Sequence, residues 1–194
     1  MELKKESDKM VEDNSIKRPH AIRIEDVIKE HVQEFIDNGK LIDKNGLAIG
    51  SGGNMSVRVL GGILITSTGS MLSDLRPDEI VFVGAANSDA VYFTGSKKPS
   101  SETITHWMIY QKNPGVKAIS HVNTGPKNSK NITVSEREIP YGTKELGDDI
   151  AMLLQKADVV MMKNHGLMAI GSSLAEATRL VIDAGDKEKP YTFI

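Results

Sequence analysis

The sequence has no cysteine among its 194 residues. Disulfides, thiolate catalysis and cysteine-ligated zinc are therefore excluded, and His and carboxylate remain as the strong metal ligands. Aromatics are scarce, with four Phe, four Tyr and one Trp, too few for a platform that stacks single-stranded bases. Neither charge sign dominates: 24 basic against 26 acidic side chains give a net charge of −2. The basic footprint of a nucleic-acid binder is missing. No apolar run approaches the roughly 18 residues of a membrane span. The first residues are alternately charged rather than apolar, so no membrane or export signal is expected. With cysteine absent as well, these features fit a reducing cytoplasm.

What remains is ordinary for a globular chain: 39% hydrophobic and 26% charged residues. The length suits one domain with a sizeable core. Residues 1–20 carry five acidic and five basic side chains and read as a flexible leader. Residues 21–194 read as a single domain, with no internal repeat and no linker inside 21–186.

Ile24, Val27, Ile28, Val32, Phe35 and Ile36 recur at helical spacing, and Asn38-Gly39 is a helix stop signal. Residues 55–60 and 63–66 flank Gly61-Gly62 as a β-hairpin. Two further strands are expected over 80–83 and 91–94. Ser101 is a suitable N-cap for a helix with Ile104, Trp107 and Met108 on one face, stopped at Asn113-Pro114-Gly115. Residues 116–122 read as a strand and 124–138 as a long polar loop. Thr143 can cap a helix carrying Leu146, Ile150, Leu153 and Leu154. Residues 158–162 form an apolar strand running into Asn164-His165-Gly166. Ser173 and Glu176 have capping-box spacing ahead of a last helix. The pattern is an α/β domain with helices on both faces of a mixed sheet.

The residues with chemistry to offer are Ser100-Ser101-Glu102, His121 and His165. A carboxylate opening a helix and two histidines ending separate strands can converge on one divalent ion, with the serines beside it as oxyanion donors. Each part has a plain structural alternative. Acidic residues are favoured in a first helical turn for stability alone. The Glu102-x-x-x-His106 spacing is a weak signal on its own. A His-x-His pair on one strand face would be a strong chelate. Here position 123 is Asn, and an amide oxygen is a poor zinc ligand. Gly52-Gly53-Asn54, Thr68-Gly69 and Ser100-Ser101 are turns whose N–H groups can hold an anion, or ordinary turns. Neither a nucleotide-binding glycine loop nor a Gly-x-Ser-x-Gly nucleophile occurs.

The order of these pieces resembles the class II aldolase/adducin family. It runs Gly53-Asn54-Met55-Ser56, Ile65-Thr66-Ser67-Thr68-Gly69, Pro99-Ser100-Ser101-Glu102, His121, Tyr141-Gly142-Thr143 and Asn164-His165-Gly166. Fuculose-1-phosphate aldolase-like members look most similar, over roughly residues 22–184. The resemblance implies a three-layer α/β/α sandwich around a mostly antiparallel sheet, and a homotetramer with sites between subunits. It implies that Gly53, Asn54, Thr68, Gly69, Ser100 and Ser101 hold the phosphate of a sugar phosphate. Glu102 would be the acid/base, and His121 and His165, with Glu102, the ligands of one Zn2+ or other divalent ion per subunit. The implied reaction is cleavage of a phosphorylated ketose to a dihydroxyacetone-phosphate-like product and an aldehyde. A 4-epimerase, a dehydratase and a non-catalytic adducin-like member are alternatives on the same fold.

Three departures stand out. Asn123 replaces the second histidine of the family's His-x-His, with His106 as a remote substitute ligand. The segment after Asn123 is short and polar and contains no tyrosine before Tyr141, so the proton donor of the aldolases is unassigned. The sequence ends at Ile194, soon after the last helix, so a tail that closes the site in some members is expected to be missing.

Overall fold

A computed structural model of the chain describes residues 23–128 and 132–191. The leader expected over residues 1–20 lies outside the described residues. In chain order the helices are α1 (Ile24–Lys44), α2 (Thr103–Lys112), α3 (Lys144–Leu153) and α4 (Leu174–Ala184). The strands are β1 (Asn54–Val59), β2 (Gly62–Thr66), β3 (Ile80–Ala86), β4 (Val91–Thr94), β5 (Ala118–Val122), β6 (Thr124–Pro126), β7 (Thr133–Val134), β8 (Val159–Met162), β9 (Gly166–Gly171) and β10 (Gly185–Pro190). Eight of them form one sheet in the order β4-β3-β2-β1-β5-β9-β8-β7. Every neighbouring pair is antiparallel except β7 with β8.

The sheet is covered on both faces. Phe35 of α1 and Val181 of α4 pack with Met55, Val57, Leu64 and Leu167 on one side. Ile109 of α2 and Leu146 and Ile150 of α3 pack with Ile65, Ile119 and Met168 on the other. Successive strand residues point to opposite faces, so Leu64 serves one layer while Ile63 and Ile65 serve the other. This explains why the inner strands read as unbroken apolar runs: neither face meets water. The architecture is the expected three-layer sandwich. Among the described residues no helix is long and apolar enough to cross a membrane.

The structure corrects several local expectations. Helix α1 does not stop at Asn38-Gly39 but continues to Lys44. Asn38 turns its Nδ2 back to the Glu34 carbonyl (2.8 Å), and Gly39 faces the Leu72 backbone. A Cβ on Gly39 would stand 2.2 Å from the Leu72 carbonyl oxygen. Glycine is there for a close approach, not as a stop. Gly39→Ala should therefore destabilise the fold by about 1–3 kcal/mol through overpacking, although alanine favours a helix by about 1 kcal/mol. Urea unfolding measures this, and an unchanged or raised midpoint would contradict it.

The segment 124–138, expected as loop, contains β6 and β7. Strand β6 pairs with β10, which no pattern announced, because Gly-Asp-Lys-Glu-Lys-Pro has no apolar alternation. That pairing is held by main-chain and lysine contacts, such as Lys189 Nζ to the Pro126 carbonyl (3.0 Å). Thr143 caps α3 as expected, accepting from the Leu146 N–H (3.2 Å). Ser173 caps α4, but Glu176 reaches back one residue further, to the Ser172 N–H (2.7 Å).

Helix α2 departs most. Its cap position is Glu102 rather than Ser101. Ile104, Trp107 and Met108 are only half-buried, while Thr105, His106, Ile109 and Tyr110 face inward. The reason lies in β1, which presents Asn54, Ser56 and Arg58 at two-residue steps. Helix α2 answers with Glu102, His106 and Tyr110 at four-residue steps. Asn54 Nδ2 donates to Glu102 (3.1 Å), and Ser56 Oγ joins His106 Nδ1 (2.7 Å) and Tyr110 Oη (2.9 Å). Arg58 donates to the Tyr110 carbonyl (2.7 Å) and lies 4.8 Å over its ring. A polar ladder replaces the apolar stripe.

Candidate metal centre and substrate cleft

Three elements bring one side chain each to a common point. Glu102 caps α2, His121 lies on β5 opposite Asn54 of β1, and His165 sits in the turn between β8 and β9. His121 Nε2 is 3.2 Å and His165 Nε2 3.4 Å from Glu102 Oε1. The two imidazole rings meet edge-on with centroids 4.9 Å apart. The three ligating atoms lie within 4.8 Å of one another, and all three residues are buried.

The backbone is shaped to allow this. In the turn that carries His165, Asn164 takes a φ of 57° and Gly166 a φ of 154°. A Cβ on Gly166 would stand 2.2 Å from the Val122 carbonyl oxygen and 3.0 Å from the His121 ring. Only glycine lets the chain leave His165 while pressed against β5. His121 donates from Nδ1 to the Leu167 carbonyl (2.9 Å), which turns Nε2 toward Glu102 as a ligating atom. Glu102 is placed by Asn54 and by Ser100, whose Oγ accepts from the Glu102 N–H (3.2 Å).

Burial and mutual pairing shift the charges of the site. Burial alone would push the Glu102 carboxyl up, but His121 and His165 outweigh it and hold it well below the ordinary carboxylate range. Burial would push His121 down, yet Glu102 outweighs it, helped by the Leu167 carbonyl and the Asn123 amide, so its pKa is raised. Glu102 Oε2, Asn123 Oδ1 and Asn54 Oδ1 are buried without a hydrogen-bond partner, and His121 Nε2 has only the Glu102 carboxylate beside it. Each orphaned atom of this kind costs about 1–3 kcal/mol. Acceptors from a carboxylate, an imidazole and an amide, clustered in this way, suit a divalent ion.

A cleft of about 400 Å³ opens over this point. Gly53, Asn54, Thr68, Gly69, Ser100 and Ser101 all line it, together with Glu102, Asn123 and His165. Six residues expected to hold a phosphate thus share one wall. Two of them, Asn54 and Ser100, are also engaged with Glu102. Ser67, missed in the sequence, adds a buried hydroxyl without a hydrogen-bond partner to the same wall. Tyr141 and Tyr191 line the same cleft. Tyr141 was visible only as part of a motif, and its ring lies 6.2 Å from that of His165. Tyr191 carried no signal. It reaches the cleft because β10 pairs with β6, bringing its N–H to the Asn123 carbonyl (2.8 Å).

His106 is placed elsewhere. It is fully buried, bonded to Ser56, and not among the three converging ligands. Burial drives its pKa from an ordinary 6.5 to about 3, against the pull of Glu102. Below pH 6.5 the unfolded chain takes up a proton that the folded ring refuses. Its contribution to stability is thus full above 6.5 and lost as pH falls toward 3, at up to about 1.4 kcal/mol per pH unit. His106→Asn, which keeps an acceptor near Ser56, should flatten the fall of unfolding free energy between pH 6.5 and 4. Parallel curves for the two proteins would contradict this origin.

A family model described as the class II aldolase and adducin N-terminal domain matches residues 33–184. The chain is similar to a 5-methylthioribulose-1-phosphate/5-deoxyribulose-1-phosphate aldolase of Rhodospirillum rubrum. The two are 29% identical over 178 residues, covering 81% of this chain and 78% of the relative. It is also 29% identical over 164 residues to an L-fuculose phosphate aldolase of Methanococcus vannielii, covering 75% and 87%. Among solved structures, an L-fuculose 1-phosphate aldolase superposes with a TM-score of 0.68 at 26% identity. That match covers 79% of this chain and 81% of the other.

Proposed function

The chain belongs to the class II aldolase and adducin N-terminal domain family, and from that premise we propose that it is a divalent-metal-dependent aldolase. Its substrate is a ketose 1-phosphate, cleaved to a dihydroxyacetone-phosphate-like fragment and an aldehyde. The observation that carries this reading is the convergence of Glu102, His121 and His165, with orphaned acceptors, at the floor of a donor-lined cleft. The similar proteins that are named as aldolases of ketose phosphates support it.

Glu102, His121 and His165 would hold the ion, which when bound supplies a Lewis-acid charge for the substrate oxygens. The residues of the chain do the rest. Gly53, Thr68, Gly69, Ser100 and Ser101 offer hydroxyls and turn N–H groups to the phosphate, fixing the reacting carbons over the carboxylate. Glu102 Oε1 is occupied by Asn54 and the histidines, while Oε2 has no hydrogen bond. Oε2 is therefore the atom that moves the proton. In condensation it takes the proton from the carbon beside the ketone. In cleavage the hydroxyl of the departing fragment gives up its proton as it becomes the aldehyde carbonyl. The carbon–carbon bond breaks with its electron pair staying on the ketone fragment, and Glu102 relays a proton to that carbon, so one proton leaves oxygen and one reaches carbon. Burial keeps the carboxylate's partners fixed during the exchange.

The test is product analysis on a pentulose and a hexulose 1-phosphate. The expected result is an aldehyde plus a fragment that dihydroxyacetone-phosphate-reducing enzymes accept. Inverted stereochemistry or loss of water, with the carbon chain intact, would instead identify an epimerase or a dehydratase. No turnover by the metal-loaded protein would favour an adducin-like binding role. We further expect a single domain over residues 21–194, a cytoplasmic location and a homotetramer, the last to be read as four chain masses by light scattering.

A further inference from the structure

We propose that Asn123 is itself a metal ligand, its Oδ1 supplying a neutral oxygen beside Glu102, His121 and His165. The site then has two nitrogen and two oxygen donors, and its preference moves away from zinc toward harder ions of the manganese class. This rests on the metal-dependent reading above and concerns which ion that site takes.

Position 123 stands two residues beyond His121, on the same side of the chain, and lines the cleft with Glu102 and His165. Its side chain is 9% exposed and Oδ1 has no hydrogen-bond partner. The main chain at this position is tied down, its backbone carbonyl accepting from the Tyr191 N–H (2.8 Å). The side-chain Nδ2 lies toward Gly52, where a Cβ would stand 2.7 Å away. With Nδ2 turned there, Oδ1 is left as the buried atom of the amide without a hydrogen bond. A buried amide oxygen without a hydrogen bond, in the cleft that Glu102 and His165 also line, has the properties of a ligand, not of a vestige. Carbonyl and carboxylate oxygens suit manganese and magnesium, whereas zinc sites draw on imidazole and thiolate. Exchanging an imidazole for an amide therefore weakens zinc more than manganese.

Competition dialysis with Mn2+ and Zn2+ tests this without any assay of turnover. It is run on the full chain, on Asn123→His, Asn123→Asp and Asn123→Ala, each checked for a native thermal transition. We expect Asn123→His to raise the ratio of zinc to manganese affinity by at least about tenfold. Asn123→Asp, which keeps the oxygen and adds charge, should tighten manganese. Asn123→Ala should weaken both ions by about tenfold or more. Unchanged affinities in all three folded variants, with the wild type still binding one ion, would overturn the role of Asn123 and leave the aldolase reading standing. A wild type that binds neither ion would overturn the aldolase reading and this inference together. If Asn123→Ala does not fold, the opposite shifts of the His and Asp variants decide the matter.

Discussion

Glu102→Gln should lower kcat/KM on a ketose 1-phosphate by about 10³-fold or more while leaving the chain folded, because it removes the proton-moving group and an anionic ligand at once. Positioned acid/base catalysis alone is worth about 10²–10⁴-fold. The substitution is nearly isosteric, so Asn54 and Ser100 keep a partner at position 102. It also relieves the cost of burying a charge, which offsets part of what is lost with the ion pairs to His121 and His165. The unfolding midpoint should move little. Steady-state rates beside a thermal melt separate the two readouts. Activity within tenfold of wild type would remove Glu102 from the chemistry.

His121→Ala should be the costliest single change to the fold. It empties a site with no solvent exposure and leaves the Glu102 carboxylate buried with its nearer imidazole gone. Breaking a buried pair by removing one partner costs about 3–5 kcal/mol, a large share of the 5–15 kcal/mol that typically holds a domain together. The cause can be separated from simple cavity formation. If the unpaired charge dominates, adding Glu102→Gln to His121→Ala should restore roughly half of the loss, a coupling that independent sites do not show. Chemical denaturation at neutral pH measures the cycle. Strict additivity would assign the loss to the cavity alone.

Much of this was legible in the residues, and the reasons are specific. The β1–β2 hairpin, α3, α4 and the strands at β5 and β8 announce themselves through apolar periodicity and caps such as Thr143 and Ser173. Strands such as β2 and β8 are dry on both faces, so they had to be largely apolar. The site was visible as an ordered set of short motifs, because Glu102, His121 and His165 each end or begin an element, where a side chain can leave the core.

What the sequence hid follows other physics. The inward face of α2 is polar, because Ser56 and Arg58 of β1 satisfy His106 and Tyr110. A reading by hydrophobicity therefore chose the wrong face. Gly39 looked like a stop because glycine ends helices as readily as it admits a neighbouring backbone. Strand β10 pairs through its backbone with no apolar alternation, so neither it nor Tyr191 could be foreseen. Asn123 illustrates the remaining gap. A motif shows only that a histidine is missing, whereas the fold shows a buried amide oxygen without a hydrogen bond in the same cleft.

On the reading proposed here, Glu102, His121 and His165 bind one divalent ion. The most direct measurement is the metal content of the purified chain after exposure to excess Mn2+ or Zn2+ and removal of free ion, beside His121→Gln/His165→Gln prepared in the same way. One ion per wild-type chain, and none in the folded double variant, is the predicted result. An ion-free wild type, or a double variant that retains its ion, would contradict it.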